Sequence, residues 1–172
     1  MDSGYSDAAS LLIKKLEGKL EELTEYRRQF AWRFFQGESP KAYEASFDDS
    51  SWEEIDLPAT FDARKGDGWV RCKFTVPQKI RGIDVEGSIV RLFSSPILSK
   101  TEIYINSRKV LSADYWTELR GPRIIISRNA KPKDECAIAV HVFKKYEPVS
   151  IPAFEIRFEK VENIIFEVCL LY

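Results

Sequence analysis

The run Gly68-Trp69-Val70-Arg71-Cys72-Lys73-Phe74-Thr75-Val76-Pro77 decides the fold. Val70, Cys72, Phe74 and Val76 alternate with Trp69, Arg71, Lys73 and Thr75. That period of two puts successive side chains on opposite faces of a β-strand. Pro77 stops the strand because it has no N–H to donate to a ladder. Just upstream, Gly66 and Gly68 around Asp67 read as a tight turn into the strand.

Working outward, the same texture repeats. Segments 88–93, 102–106, 123–127, 137–143, 154–158 and 164–171 each read as short strands between polar turns. Ile138, Val140 and Val142 share one face of theirs. Seven or so strands with almost no helix after residue 30 imply a mostly β, antiparallel sandwich. The N-terminus differs. Residues 8–28 read as an amphipathic helix, with Ile13, Leu16, Leu20 and Leu23 at 3-4-3 spacing and Ser6 or Asp7 as its cap. Lys14, Lys15, Lys19, Glu21 and Glu22 fall on its solvated side. An aromatic run follows at 30–35, then a loop at 36–50. The expected organisation is a helical extension, 1–29, and one β-sandwich domain, 30–172.

The bulk numbers agree. A chain of 172 residues, 44% hydrophobic and 31% charged, can bury a real core. Its net charge of -1, from 26 basic and 27 acidic residues, argues against a dedicated nucleic-acid binder. No run approaches the roughly 20 apolar residues that span a bilayer, and the start shows no basic-then-apolar signal pattern. No membrane partner and a cytoplasmic address are therefore expected. Cys72, Cys136 and Cys169 are far apart in apolar or alternating segments, and are expected to be buried, reduced thiols. The chain finishes on the apolar run Glu167-Val168-Cys169-Leu170-Leu171-Tyr172, which fits a piece of a longer polypeptide.

Four motifs in order carry a resemblance. They are Phe47-Asp48-Asp49-Ser50-Ser51-Trp52; Gly66-Asp67-Gly68-Trp69-Val70-Arg71 through Pro77; Thr101-Glu102-Ile103-Tyr104-Ile105-Asn106; and Ala137-Ile138-Ala139-Val140-His141-Val142. The order resembles the N-terminal galactose-binding-like jelly-roll domain of family 2 glycoside hydrolases. The Leu- and Glu-rich helix from Leu16 to Leu23, then Trp32-Arg33-Phe34 and the Asp-Asp-Ser-Ser-Trp entry, resembles the front of microbial family 38 α-mannosidases. The resemblance implies a non-catalytic accessory domain, with the nucleophile, acid and zinc site far downstream. The implied partner is the downstream catalytic domain of the same polypeptide, with glycan as a second partner. Two departures stand out. Asn106-Ser107 replaces the family's Asn-Gly, which predicts a hairpin turn that is wider or of another type, and Cys136 stands where Asn is common. Trp52 and Trp69 are expected to plug the ends of the sandwich.

The residues themselves supply no reaction centre. One histidine, His141, cannot build a metal site or a triad alone, and is expected to be a structural or exposed strand residue. The pairs Asp48/Asp49, Glu53/Glu54 and Glu21/Glu22 are neighbours in sequence, not two carboxyls across one scissile bond. The chain alone is expected to be no enzyme, with no catalytic residue, no metal and no cofactor. Sugar contact needs an exposed aromatic face with polar groups beside it. Tyr115, Trp116, Glu118 and Arg120 form the first candidate, and Trp69 with Arg71 the second. Two other readings stand beside the accessory domain: a free-standing carbohydrate-binding module, and a protein-interaction or assembly domain with no sugar role.

Overall fold

The computed structural model describes residues 3–114 and 123–170. Its strands are β1 (Trp32–Gln36), β2 (Glu53–Ile55), β3 (Ala59–Phe61), β4 (Gly68–Thr75), β5 (Lys79–Ile80), β6 (Ile83–Asp84), β7 (Val90–Ser94), β8 (Thr101–Ile105), β9 (Arg108–Ala113), β10 (Arg123–Ser127), β11 (Glu135–Val142), β12 (Val149–Ile151) and β13 (Phe154–Phe158). Two helices, α1 (Ser3–Glu25) and α2 (Glu159–Leu170), lie at the ends of the chain.

The deciding strand, β4, lies inside the largest sheet, whose order is β2-β1-β4-β11-β8-β9. Every described pairing is antiparallel. A second sheet, β10-β7-β13, faces it. Val70, Cys72, Ile103, Ile138 and Val140 from the first sheet share one core with Val90, Leu92, Phe154 and Ile156 from the second. The Trp32 and Phe154 rings meet across the layers at 4.7 Å. This is the antiparallel β-sandwich expected from the alternation, with its N-terminal helix.

Gly68 has a steric reason. A Cβ there would come within 2.6 Å of the Phe61 ring, so the ring packs on bare backbone. The turn conformation is supplied by Gly66 instead, at φ +150°.

The helices are tied to the sandwich through one buried phenol. Leu23 and Tyr26 belong to the core. The Tyr26 hydroxyl donates to Glu162 Oε1 at 2.6 Å and accepts from the Phe158 N–H at 3.1 Å. Arg27 holds the same carboxylate with two donors, at 2.9 and 2.6 Å. The segment after α1 is thereby fastened to the start of α2.

Four expectations need correction. Residues 164–171 are not a strand. Val161, Ile165 and Val168 recur at 4-3 spacing, and Glu159 and Glu162 sit in the first turn, where the helix end is positive. Cys169, carried on the outside of this helix, is exposed. Cys72 and Cys136 are buried, and burial pushes their thiols up to about 12 and about 11. The Asn106-Ser107 turn stays tight, with φ of +49° and +69° and Ile105 paired directly to Arg108. Asn106 Oδ1 accepts from the Ala137 N–H and Ser107 Oγ from the Ala45 N–H, both at 2.8 Å, which holds the left-handed pair in place. Trp52 and Trp69 do not close the ends of the sandwich. Both lie on the outer face of the six-stranded sheet.

Candidate functional site

Strand register builds two cross-strand rows on that outer face. Arg33, Arg71, Ala139 and Tyr104 form one row, and Phe35, Trp69, His141 and Glu102 the next. Arg33 and Arg71 stand directly opposite each other, an arrangement that repels unless a counter-charge intervenes. Asp49 intervenes. Its Oδ2 accepts from Arg71 Nε at 2.8 Å, its Oδ1 lies 3.5 Å from Arg33 Nη1, and its backbone carbonyl accepts from Arg33 at 3.1 Å. Arg71 also donates to the carbonyls of Ala42 and Glu44. The segment 38–52 is thus strapped across the sheet by an arginine that is only 1% exposed.

Aromatic rings complete the seal. Trp52 stacks on Phe35 at 5.2 Å, and Tyr43 on Tyr104 at 5.3 Å. Trp69 lies almost parallel to the His141 imidazole, 4.0 Å away. His141 Nε2 contacts Asp67 Oδ2 at 2.8 Å, and Asp67 Oδ1 accepts the Lys144 N–H, also at 2.8 Å. The single histidine therefore braces the 66–68 turn and the end of β11, rather than standing exposed on its strand.

An open site lies at one end of the sandwich. Pro58, Pro96, Pro148 and Pro152 line a groove of about 940 Å³ together with Leu98 and Lys145. Leu98 is 64% exposed, and Tyr146 beside the groove is fully exposed. Lys145 Nζ donates to the Leu98 carbonyl at 2.9 Å and pairs with Glu147 at 2.5 Å. Arg28 borders the same groove and donates to Glu155 Oε1 at 2.8 and 3.2 Å. Prolines fix the backbone and leave no N–H to saturate. The result is a rigid apolar wall with a charged rim, suited to a neighbouring protein surface or an extended glycan.

Of the sequence-derived sugar candidates, Tyr115, Trp116, Glu118 and Arg120 lie outside the described residues. Trp69 and Arg71 come together on one strand face, as their parity requires. Both are buried under the strap, with Trp69 only 4% exposed, so neither presents a free face in this chain. The groove was not anticipated. Its prolines come from four separate loops, and only the topology makes them neighbours.

Searches against protein-family models and against curated proteins find no match. Solved structures do resemble the chain. One is a glycosyl hydrolase family 2 member from Bacteroides cellulosilyticus, with TM-score 0.54 and 19% identity over 74% of this chain and 20% of that one. Another is a β-glucuronidase from glycoside hydrolase family 2, with TM-score 0.57 and 21% identity over 70% of this chain and 14% of that one. A third is a β-glycosidase from Bacteroides vulgatus, with TM-score 0.54 and 16% identity over 74% of this chain and 19% of that one. At these identities the likeness is one of fold. This chain spans a fifth or less of the length of each.

Proposed function

We propose that this chain is a non-catalytic accessory domain of a glycoside hydrolase, an α-mannosidase, which positions the catalytic domain and adds a glycan contact. The observation that carries the reading is the β-sandwich shared with glycosidases that are several times longer than the stretch it matches. The narrower choice of α-mannosidase rests on the Leu16 to Leu23 helix, Trp32-Arg33-Phe34 and the Asp48–Trp52 entry. The proline-lined groove is the face offered to the catalytic domain. Tyr115, Trp116, Glu118 and Arg120 are the proposed glycan contact.

An immunoblot of source-cell extract with an antibody to this domain tests the reading. The expected band is several times larger than 19.9 kDa, and the protein in it hydrolyses p-nitrophenyl α-mannoside. A band at 19.9 kDa overturns the accessory-domain reading. A large protein that cleaves only β-glucuronide keeps the glycosidase and removes the mannosidase. A second reading, an assembly domain with no sugar role, is favoured by the solvent-facing side of α1, which is exposed at Leu11, Lys14, Lys15, Gly18, Glu21, Glu22 and Glu25.

A further inference from the structure

The inner stripe of α1 is accounted for. Leu16, Leu20 and Leu23 are shielded, with Leu20 and Leu23 against the core that includes Val161 and Ile165 of α2. The opposite side is not. Leu11, Lys14, Lys15, Gly18, Glu21, Glu22 and Glu25 recur at three- and four-residue steps, so they share one face, and all of them are exposed.

That face has an unusual order. Taken outward from Gly18, its lysines are answered by carboxylates at the same distance: Lys15 by Glu21 and Lys14 by Glu22. Among the described residues nothing packs against Gly18. A Cβ there would meet nothing within 4 Å, yet glycine is the poorest helix former after proline. Close approach of another backbone gives it a role.

We infer that α1 is a self-recognition surface, on which a second copy of this chain pairs antiparallel about a two-fold axis at Gly18. In that arrangement Lys14 and Lys15 meet the second copy's Glu21 and Glu22, and symmetry repeats the pairs. Leu11, which is 71% exposed, is covered by the last turn of the opposing α1. A parallel pairing sets Lys14 and Lys15 against themselves and is repelled. Within one chain Lys19 already contacts Glu22 at 3.1 Å and Glu25 contacts Arg81 at 2.8 Å. Both contacts leave carboxylate surface open, because these side chains remain about half exposed or more. The inference does not depend on the glycosidase reading.

Sedimentation of the 172-residue chain tests it. At about 100 μM protein and ~50 mM salt the chain is expected to be a dimer that weakens at ~500 mM salt, where exposed charges are screened. K14E/K15E and E21K/E22K each turn attractions into repulsions and weaken self-association by about tenfold or more. Mixing those two variants restores a dimer, and so does combining all four substitutions in one chain. All four positions are exposed, so circular dichroism should report unchanged folding. A monomer at low salt overturns the proposal. So does a dimer indifferent to the reversals, or a fourfold variant that stays monomeric.

Discussion

Arg71 shows how one side chain can be both legible and misread. Its alternation with Val70 and Cys72 places it on the side of the sheet away from the core, and the structure agrees. What alternation cannot reveal is that this side is roofed. The roof is made by residues 38–52, which precede the strand and return over it, a long-range contact with no local sequence signature. Hence two sugar candidates, Trp69 and Arg71, became packing residues. His141 followed the same course, its parity legible and its stack on Trp69 not. The energetic consequence is testable at Asp49. Asp49→Ala leaves a fully buried guanidinium without its counter-charge, and is expected to cost about 3–5 kcal/mol in urea unfolding. Asp49→Asn keeps an acceptor for Arg71 Nε, and should cost less. Equal losses from both variants would show that the charge on Asp49 carries the whole effect, whereas an Asp49→Asn variant as stable as the parent chain would show that the charge contributes nothing.

Elements were read with uneven success, for a physical reason. A β-strand of five to eight residues with regular alternation declares itself within its own length, as β4 and β11 do. The terminal segment does not. Ile164-Ile165-Phe166 looks like a buried strand when taken alone. Its helical character appears only when Val161 and Val168 are counted with Ile165, because a helix face needs two turns to show. The latch between the helices was also invisible, since Tyr26 and Glu162 are 136 residues apart. Tyr26→Phe removes the hydroxyl that satisfies the Phe158 N–H and one bond to Glu162. It is expected to cost about 1–3 kcal/mol and to speed amide exchange in α1 and α2 while β4 and β11 stay protected. Uniform acceleration across both helices and both strands would mean that the latch is part of the global fold, not a local tie.

At the scale of the molecule, carboxylates held by neighbouring cations set how the protein meets acid. Burial pushes Glu155 up, but its bonds from Arg157 and Arg28 outweigh that and hold it below the usual glutamate range. Glu102 is also held low, where burial is outweighed by Lys109 and Tyr104. A group whose folded value is depressed stabilises the fold above its unfolded value and loses that contribution as pH falls through the folded one. Stability is therefore expected to hold near neutrality and to decline below about pH 4.3. Glu155→Gln should lower the urea midpoint at neutral pH and converge with the parent chain in acid. Parallel curves would remove Glu155 from the acid response. The strap over the large sheet has a different consequence at this scale. Arg71 holds it through the carbonyls of Ala42 and Glu44, groups that every amino acid carries. The path of the segment is thus guaranteed while the solvent-facing residues Glu38, Pro40 and Lys41 are left free to change. A stretch anchored by its main chain and unconstrained in its outward lettering is a natural place to graft new recognition.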